Sequence, residues 1–135
     1  MLTLKRTFFV AITFILAVNM LFFSAGKVVA QHAKPFVRIA RLQIDSSQLE
    51  RYKAALKEGA ETAVRAEPGV ISLYAVYEKD HPTRVTVFEI YSSAEAYKSH
   101  IETAHFKKYK DTTKDMVKSL ELIDAIPIAL ATKNR

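Results

Sequence analysis

The chain has 135 residues, half of them hydrophobic, with 20 Lys and Arg against 14 Asp and Glu and with no Cys and no Trp. That length suits a single domain with its own core but leaves no room for a separate cofactor-binding domain, and zero Cys removes disulfides, thiolate nucleophiles and Fe–S clusters. Residues 1–30 hold 21 of the hydrophobic residues, five of the eight Phe and three cations without an acid, so residues 31–135 carry only +3 with mixed signs, which argues against nucleic-acid binding.

Met1 to Arg6 forms a short basic segment, and Thr7 to Ser24 is an apolar run broken only by Thr13 and Asn19. Val28 and Ala30 suit the −3 and −1 positions of a secretory cleavage site, so residues 1–30 are predicted to be a signal peptide with the mature chain starting at Gln31. The alternative is an uncleaved membrane anchor, because the run approaches the length that spans a bilayer. Either way the charge ahead of the apolar run leaves the domain outside the cytoplasm, secreted or periplasmic.

Residues 31–35 read as a linker. From Phe36 the pattern alternates with a period of two, placing Phe36, Ala40, Leu42 and Ile44 on one side of a strand. Ser47-Gln48-Leu49-Glu50 reads as a capping box for a helix over about 48–66, whose Leu49, Tyr52, Leu56, Ala60 and Ala63 share a face, and Pro68-Gly69 stops it. Val70 to Glu78 and Arg84 to Tyr91 are predicted as a hairpin about the turn Lys79-Asp80-His81-Pro82. Ser92-Ser93-Ala94-Glu95 reads as a second capping box for a short helix, Thr103 as the N-cap of another running to about Met116, and Leu120 to Ile128 as the last strand. Residues 129–135 are left as a tail. The order β-α-β-β-α-β within 36–128 specifies an α+β, ferredoxin-like antiparallel sheet with helices on one face. The other face is partly apolar, so a homodimer packed sheet to sheet is expected.

Glu67-Pro68-Gly69-Val70, then Glu89-Ile90-Tyr91 followed by Ser92-Ser93-Ala94-Glu95-Ala96-Tyr97, and finally His100-x-x-x-x-His105-Phe106 occur in an order that resembles the antibiotic biosynthesis monooxygenase (ABM) family over the whole of Phe36 to Ile128. The resemblance implies a dimeric α+β barrel with a pocket between sheet and helices in each subunit. It also implies small oxygenases that hydroxylate quinols or phenols with no metal or flavin. The same fold hosts haem degraders and the isomerase of phosphorylated autoinducer-2, so fold alone does not choose the chemistry.

Cofactor-free oxygenation needs an electron-rich substrate, dioxygen, an apolar pocket, a base and donors for oxygen anions. His105, the match to the second His of the family motif, is the predicted catalytic acid/base, since an imidazole can accept and return a proton near neutral pH. Its structural alternative is a role in stapling the helix that starts near Thr103. His100, five residues earlier across a helix break, is a candidate substrate contact or a packing residue. A metal at the His pair is not expected, because the spacing is not i, i+4 and no third ligand is apparent nearby. Tyr74, Tyr91 and Tyr109 are candidate pocket phenols, with core packing as the alternative for each, and Phe106 is a pocket wall or core residue. Arg38 or Arg41 could face an anion, which keeps an isomerase of a small hydroxylated or phosphorylated dione open as a second function. Glu89 reads as a partner for one of these arginines rather than a base. The first strand lacks Asn and the chain lacks Trp, which argues against the Asn-dependent oxygenases and the haem degraders of this fold. A third possibility is a binding or stress protein without catalysis.

Overall fold

The computed structural model of the chain describes residues 34–133. The segment expected to be a signal peptide, with its expected cleavage site, lies outside them. In chain order the elements are β1 (Phe36–Ile44), a 3-10 turn (Ser46–Gln48), α1 (Leu49–Ala66), β2 (Val70–Tyr77), β3 (Arg84–Tyr91), α2 (Ala94–Ile101), α3 (Ala104–Thr113) and β4 (Val117–Ala125). The strands form one antiparallel sheet in the order β2-β3-β1-β4. This is the ferredoxin-like α+β fold that the order of elements specifies. Among the described residues no helix is long and apolar enough to cross a membrane.

Residues paired across neighbouring strands share a face of the sheet. On β1, Arg38 pairs with Glu89 and Asp124, Ala40 with Val87 and Leu122, and Leu42 with Val85 and Leu120, and together they make the face turned to the helices. Two buried clusters anchor that face. Leu42, Ile44, Tyr52, Val85 and Met116 pack at one end, and Ala63, Val70 and Tyr91 at the other.

Three expectations shift. The first helix is capped upstream of the Ser47 box: Asp45 accepts from the Ser47 N–H at 2.8 Å and the Ser47 hydroxyl at 2.6 Å, so a 3-10 turn intervenes and α1 starts at Leu49 without a side-chain cap. An Asp two residues ahead outcompetes the hydroxyl because a carboxylate is the stronger acceptor. At α2 the cap is Ser93, whose hydroxyl accepts from Ala96 N–H at 3.1 Å, one residue later than the box pattern starts. The last strand begins at Val117 and ends at Ala125, because Val117 to Ser119 complete the ladder along Gln43 and Ile44 of β1 while the chain leaves the sheet before Pro127.

Candidate active site

A cavity of about 450 Å³ lies between the inner sheet face and the helices. Ala40, Leu42 and Val87 floor it, Leu56 and Ala60 of α1 roof it, and it opens beside β4, where Leu120 and Leu122 remain 43% and 49% exposed. One end is polar. Arg38, Glu89, Tyr91, Tyr97, His100 and His105 meet there, drawn from β1, β3, α2 and α3.

The two histidines converge on one carboxylate. Glu67, the residue that ends α1 in an extended conformation, places Oε1 2.8 Å from His100 Nδ1 and 2.5 Å from His105 Nε2. An ionised carboxylate oxygen only accepts, so the ring nitrogen of each histidine that faces Glu67 is the one that carries a hydrogen in that arrangement. His100 is 6% exposed, so it is a buried residue rather than a surface one. A spacing of five brings the rings together because Thr103 joins the two helices: its hydroxyl donates to the His100 carbonyl at 2.7 Å and accepts from Phe106 N–H at 3.3 Å as the N-cap of α3. The Phe106 ring packs edge-on against His100, with centroids 4.9 Å apart.

Glu67 is also the third donor that local spacing did not reveal. The ligating atoms of Glu67, His100 and His105 lie within 4.8 Å of one another, so these are the residues that could hold a metal ion. As arranged, one carboxylate oxygen already serves both imidazoles, which orients the rings for proton exchange.

The remaining candidates separate into those that reach the cavity and those that do not. Tyr91 and Tyr109 line it, and burial pushes both phenols above the ordinary tyrosine range. The Tyr109 hydroxyl lies 2.9 Å from that of Tyr52, and Phe106 is a wall residue. Tyr74 is not brought to the site: it pairs with Phe88 on the outer face of the sheet and is 57% exposed. The cause is a bulge between Val70 and Ser72, whose extra residue reverses the parity of β2 and turns Leu73, Ala75 and Tyr77 towards the helices instead.

Arg38 lines the cavity but its guanidinium is taken. Nε and Nη2 donate to Asp124 Oδ1 at 2.9 and 2.6 Å, and the group lies over the rings of Tyr97 at 4.2 Å and Phe36 at 5.0 Å. Arg41 points to the outer face, 3.6 Å from Glu121. Glu89 therefore pairs with neither arginine. It accepts from the Tyr91 hydroxyl at 2.7 Å, and desolvation raises its pKa above the usual carboxylate value against the opposing pull of Tyr91, His100 and Arg38.

A sheet with helices on one face, enclosing a small apolar cavity with a histidine-carboxylate end, defines a small-molecule site of the ABM type. The ABM family model, antibiotic biosynthesis monooxygenase, matches residues 35–112, and the chain belongs to that family. A solved structure from Bacteroides thetaiotaomicron VPI-5482 with the same family designation is 54% identical, with a TM-score of 0.72, covering 76% of this chain and 97% of that one. A family member from Nitrosomonas europaea is 25% identical, with a TM-score of 0.67, covering 71% of this chain and 92% of that one. A monooxygenase structure from Lactobacillus acidophilus NCFM is 27% identical, with a TM-score of 0.68, covering 69% of this chain and 44% of that one. No curated protein matches the chain.

Proposed function

We propose that the protein is an exported monooxygenase that acts on a quinol or phenol, using the substrate's own reactivity towards dioxygen. The observation that carries this reading is the cavity itself, largely apolar on its floor and roof, with Lys110, Lys114 and Lys118 among its lining residues, and closed at one end by two imidazoles on a shared carboxylate. Its volume lies within the range of small-molecule pockets. For a quinol the reaction balances as quinol plus dioxygen giving hydroxyquinone plus water. The substrate anion passes electrons to dioxygen, and His105, oriented by Glu67, exchanges the proton needed by the reduced oxygen. A phosphorylated dione is disfavoured at this end of the cavity, since Arg38 is held by Asp124 and Arg41 faces outward. The leader of residues 1–30 would export the domain, and a second copy would cover the outer sheet face, where Tyr74 and Val76 are exposed.

The test is oxygen consumption by the purified protein with 1,4-naphthohydroquinone, measured above the autoxidation blank. Uptake that drops by about 10² to 10⁴ in His105→Ala supports the reading. Uptake no faster than the blank across a panel of quinols and phenols removes it.

A further inference from the structure

Glu89 lines the cavity and, among the described residues, forms no salt bridge. Its register partner on β1 is Arg38, the one guanidinium lining the cavity, and that group is committed to Asp124 on β4. Among the described residues Glu89 makes no ion pair, and its one side-chain hydrogen bond is the 2.7 Å bond accepted by Oε2 from Tyr91. Oε1 has no partner there, yet no sealed-off side-chain oxygen in the described residues lacks one. Oε1 of this half-buried, cavity-lining residue therefore stays accessible to a bound molecule. A carboxylate is rarely kept in an apolar enclosure without a cation unless something else uses it.

We propose that Glu89 is the base of this site, accepting the proton of a substrate's neutral phenolic hydroxyl through Oε1, and that the polar end of the cavity thereby selects hydroxyl donors over phosphorylated or carboxylated molecules. The inference rests on the quinol or phenol reading above. In the step, the substrate O–H bond breaks as an O–H bond forms on Glu89, and the electron pair stays on the substrate oxygen. The resulting anion reduces dioxygen, and Glu89 gives up its proton as water leaves, which restores the carboxylate. A phosphate brought to the same place would meet two carboxylates, Glu67 and Glu89, and, among the described residues, no free cation at that end, since the lysines that line the cavity, Lys110, Lys114 and Lys118, lie towards the C-terminal end of α3 and the start of β4.

The groups facing Glu89 fix the sign of the pH dependence. They are Arg38 on β1 with Asp124 behind it, Tyr91 on β3, Tyr97 and His100 on α2, Tyr109 on α3, and Glu67 beyond His100. Desolvation outweighs the attraction of Arg38 and His100, so Glu89 holds its proton to higher pH than an ordinary carboxyl. The base is lost as pH falls through that raised value, and the acid limb of kcat/KM lies above the usual carboxylate range.

The experiment uses the full chain in two arms, both run from acid to mildly alkaline pH. In the first, oxygen uptake with 1,4-naphthohydroquinone is expected to lose the wild-type acid limb and to drop by about 10² to 10⁴ in Glu89→Gln. Glu89→Asp, which keeps the carboxylate one methylene back, is expected to be slow but to retain an acid limb. Wild-type rate and pH profile in Glu89→Gln overturn the proposal. The second arm needs no turnover: binding of 1-naphthol and of 1-methoxynaphthalene is compared by fluorescence. Wild type is expected to prefer the naphthol as Glu89 ionises, and Glu89→Gln to show a preference that does not change with pH. If no protein consumes oxygen, the oxygenase reading fails alone, and the naphthol arm decides for Glu89. A wild-type preference that is flat with pH overturns its role.

Discussion

Gly69 sits where β2 begins and α2 passes over it. A Cβ added there would lie 2.6 Å from the Cβ of Ala96 and 3.5 Å from its Cα. Carbon atoms in contact rest at roughly 3.5–4.0 Å, so about 1 Å must be found. Ala96 has no side-chain torsion that could supply it. The Gly69 carbonyl is held by Ser92 N–H at 2.9 Å and Val70 is already paired with Tyr91, so the displacement falls on α2, which carries Tyr97 and His100. Such overpacking costs about 1–3 kcal/mol. Gly69 has no positive φ, so Ala also gains about 0.4–1 kcal/mol by restricting the unfolded chain, leaving a net loss of about 1–2 kcal/mol. At about 4–8 °C per kcal/mol for a domain of this size, Tm should drop by roughly 4–16 °C. A shift of α2 by about 1 Å would also break the 2.8 Å bond between His100 and Glu67, so oxygen uptake should decline with stability. The assay is thermal unfolding followed by circular dichroism, for Gly69→Ala, Ala96→Gly and the double variant. In the Ala96→Gly background the clash is gone, and Gly69→Ala should become stabilising by a few tenths of a kcal/mol. A Gly69→Ala penalty of the same size in both backgrounds would refute the packing argument, as would an unchanged Tm in the single variant.

Tyr52 is fully buried, its hydroxyl 2.9 Å from that of Tyr109, and burial holds its phenol far above the ordinary range. Unfolded tyrosines ionise near about 10, so above that pH the unfolded state binds fewer protons than the native state and stability falls as pH rises. Tyr52→Phe should lose about 0.5–1.5 kcal/mol at neutral pH, yet show a shallower alkaline loss by about 1.4 kcal/mol per pH unit in urea titrations; parallel curves would contradict this. Light scattering should give about twice the mass of the processed chain, and Tyr74→Asp with Val76→Lys should halve it. A single-chain mass for the unaltered protein at high concentration would end the dimer proposal.

The fold was legible because its signals are local and repeated. The face formed by Tyr52, Leu56 and Ala63 follows from helical spacing, and the hairpin follows from β-branched runs about a polar turn. What escaped reading depended on single insertions or on distance along the chain. One bulged residue after Val70 reverses the alternation of β2, so Tyr74 is carried outward although its sequence pattern is that of a pocket residue. Glu67 belongs to the Glu-Pro-Gly signature, but its partners lie 33 and 38 residues later, and no local pattern links a helix-ending acid to them. The sequence presents Glu89 as an arginine partner, and Arg38 does stand opposite it in register. Asp124, on the other side of Arg38, wins the guanidinium through two hydrogen bonds, a competition that only the strand order reveals. His105, Tyr91, Tyr109 and Phe106 reach the cavity from positions that the motifs mark.

Glu67 sits where α1 stops, and this makes the helix a measuring stick. Inserting or deleting one residue anywhere in Leu49–Ala66 would turn its end by about 100° and slide it about 1.5 Å, swinging the carboxylate away from both rings. Divergence among descendants of this sequence is thus channelled: the exposed positions of α1 can drift in composition, but the helix hardly in length. The exposed turn between β2 and β3, closed by Glu78 N–H on the Arg84 carbonyl at 3.1 Å and by Arg84 N–H on the His81 carbonyl at 2.9 Å, is free to grow or shrink.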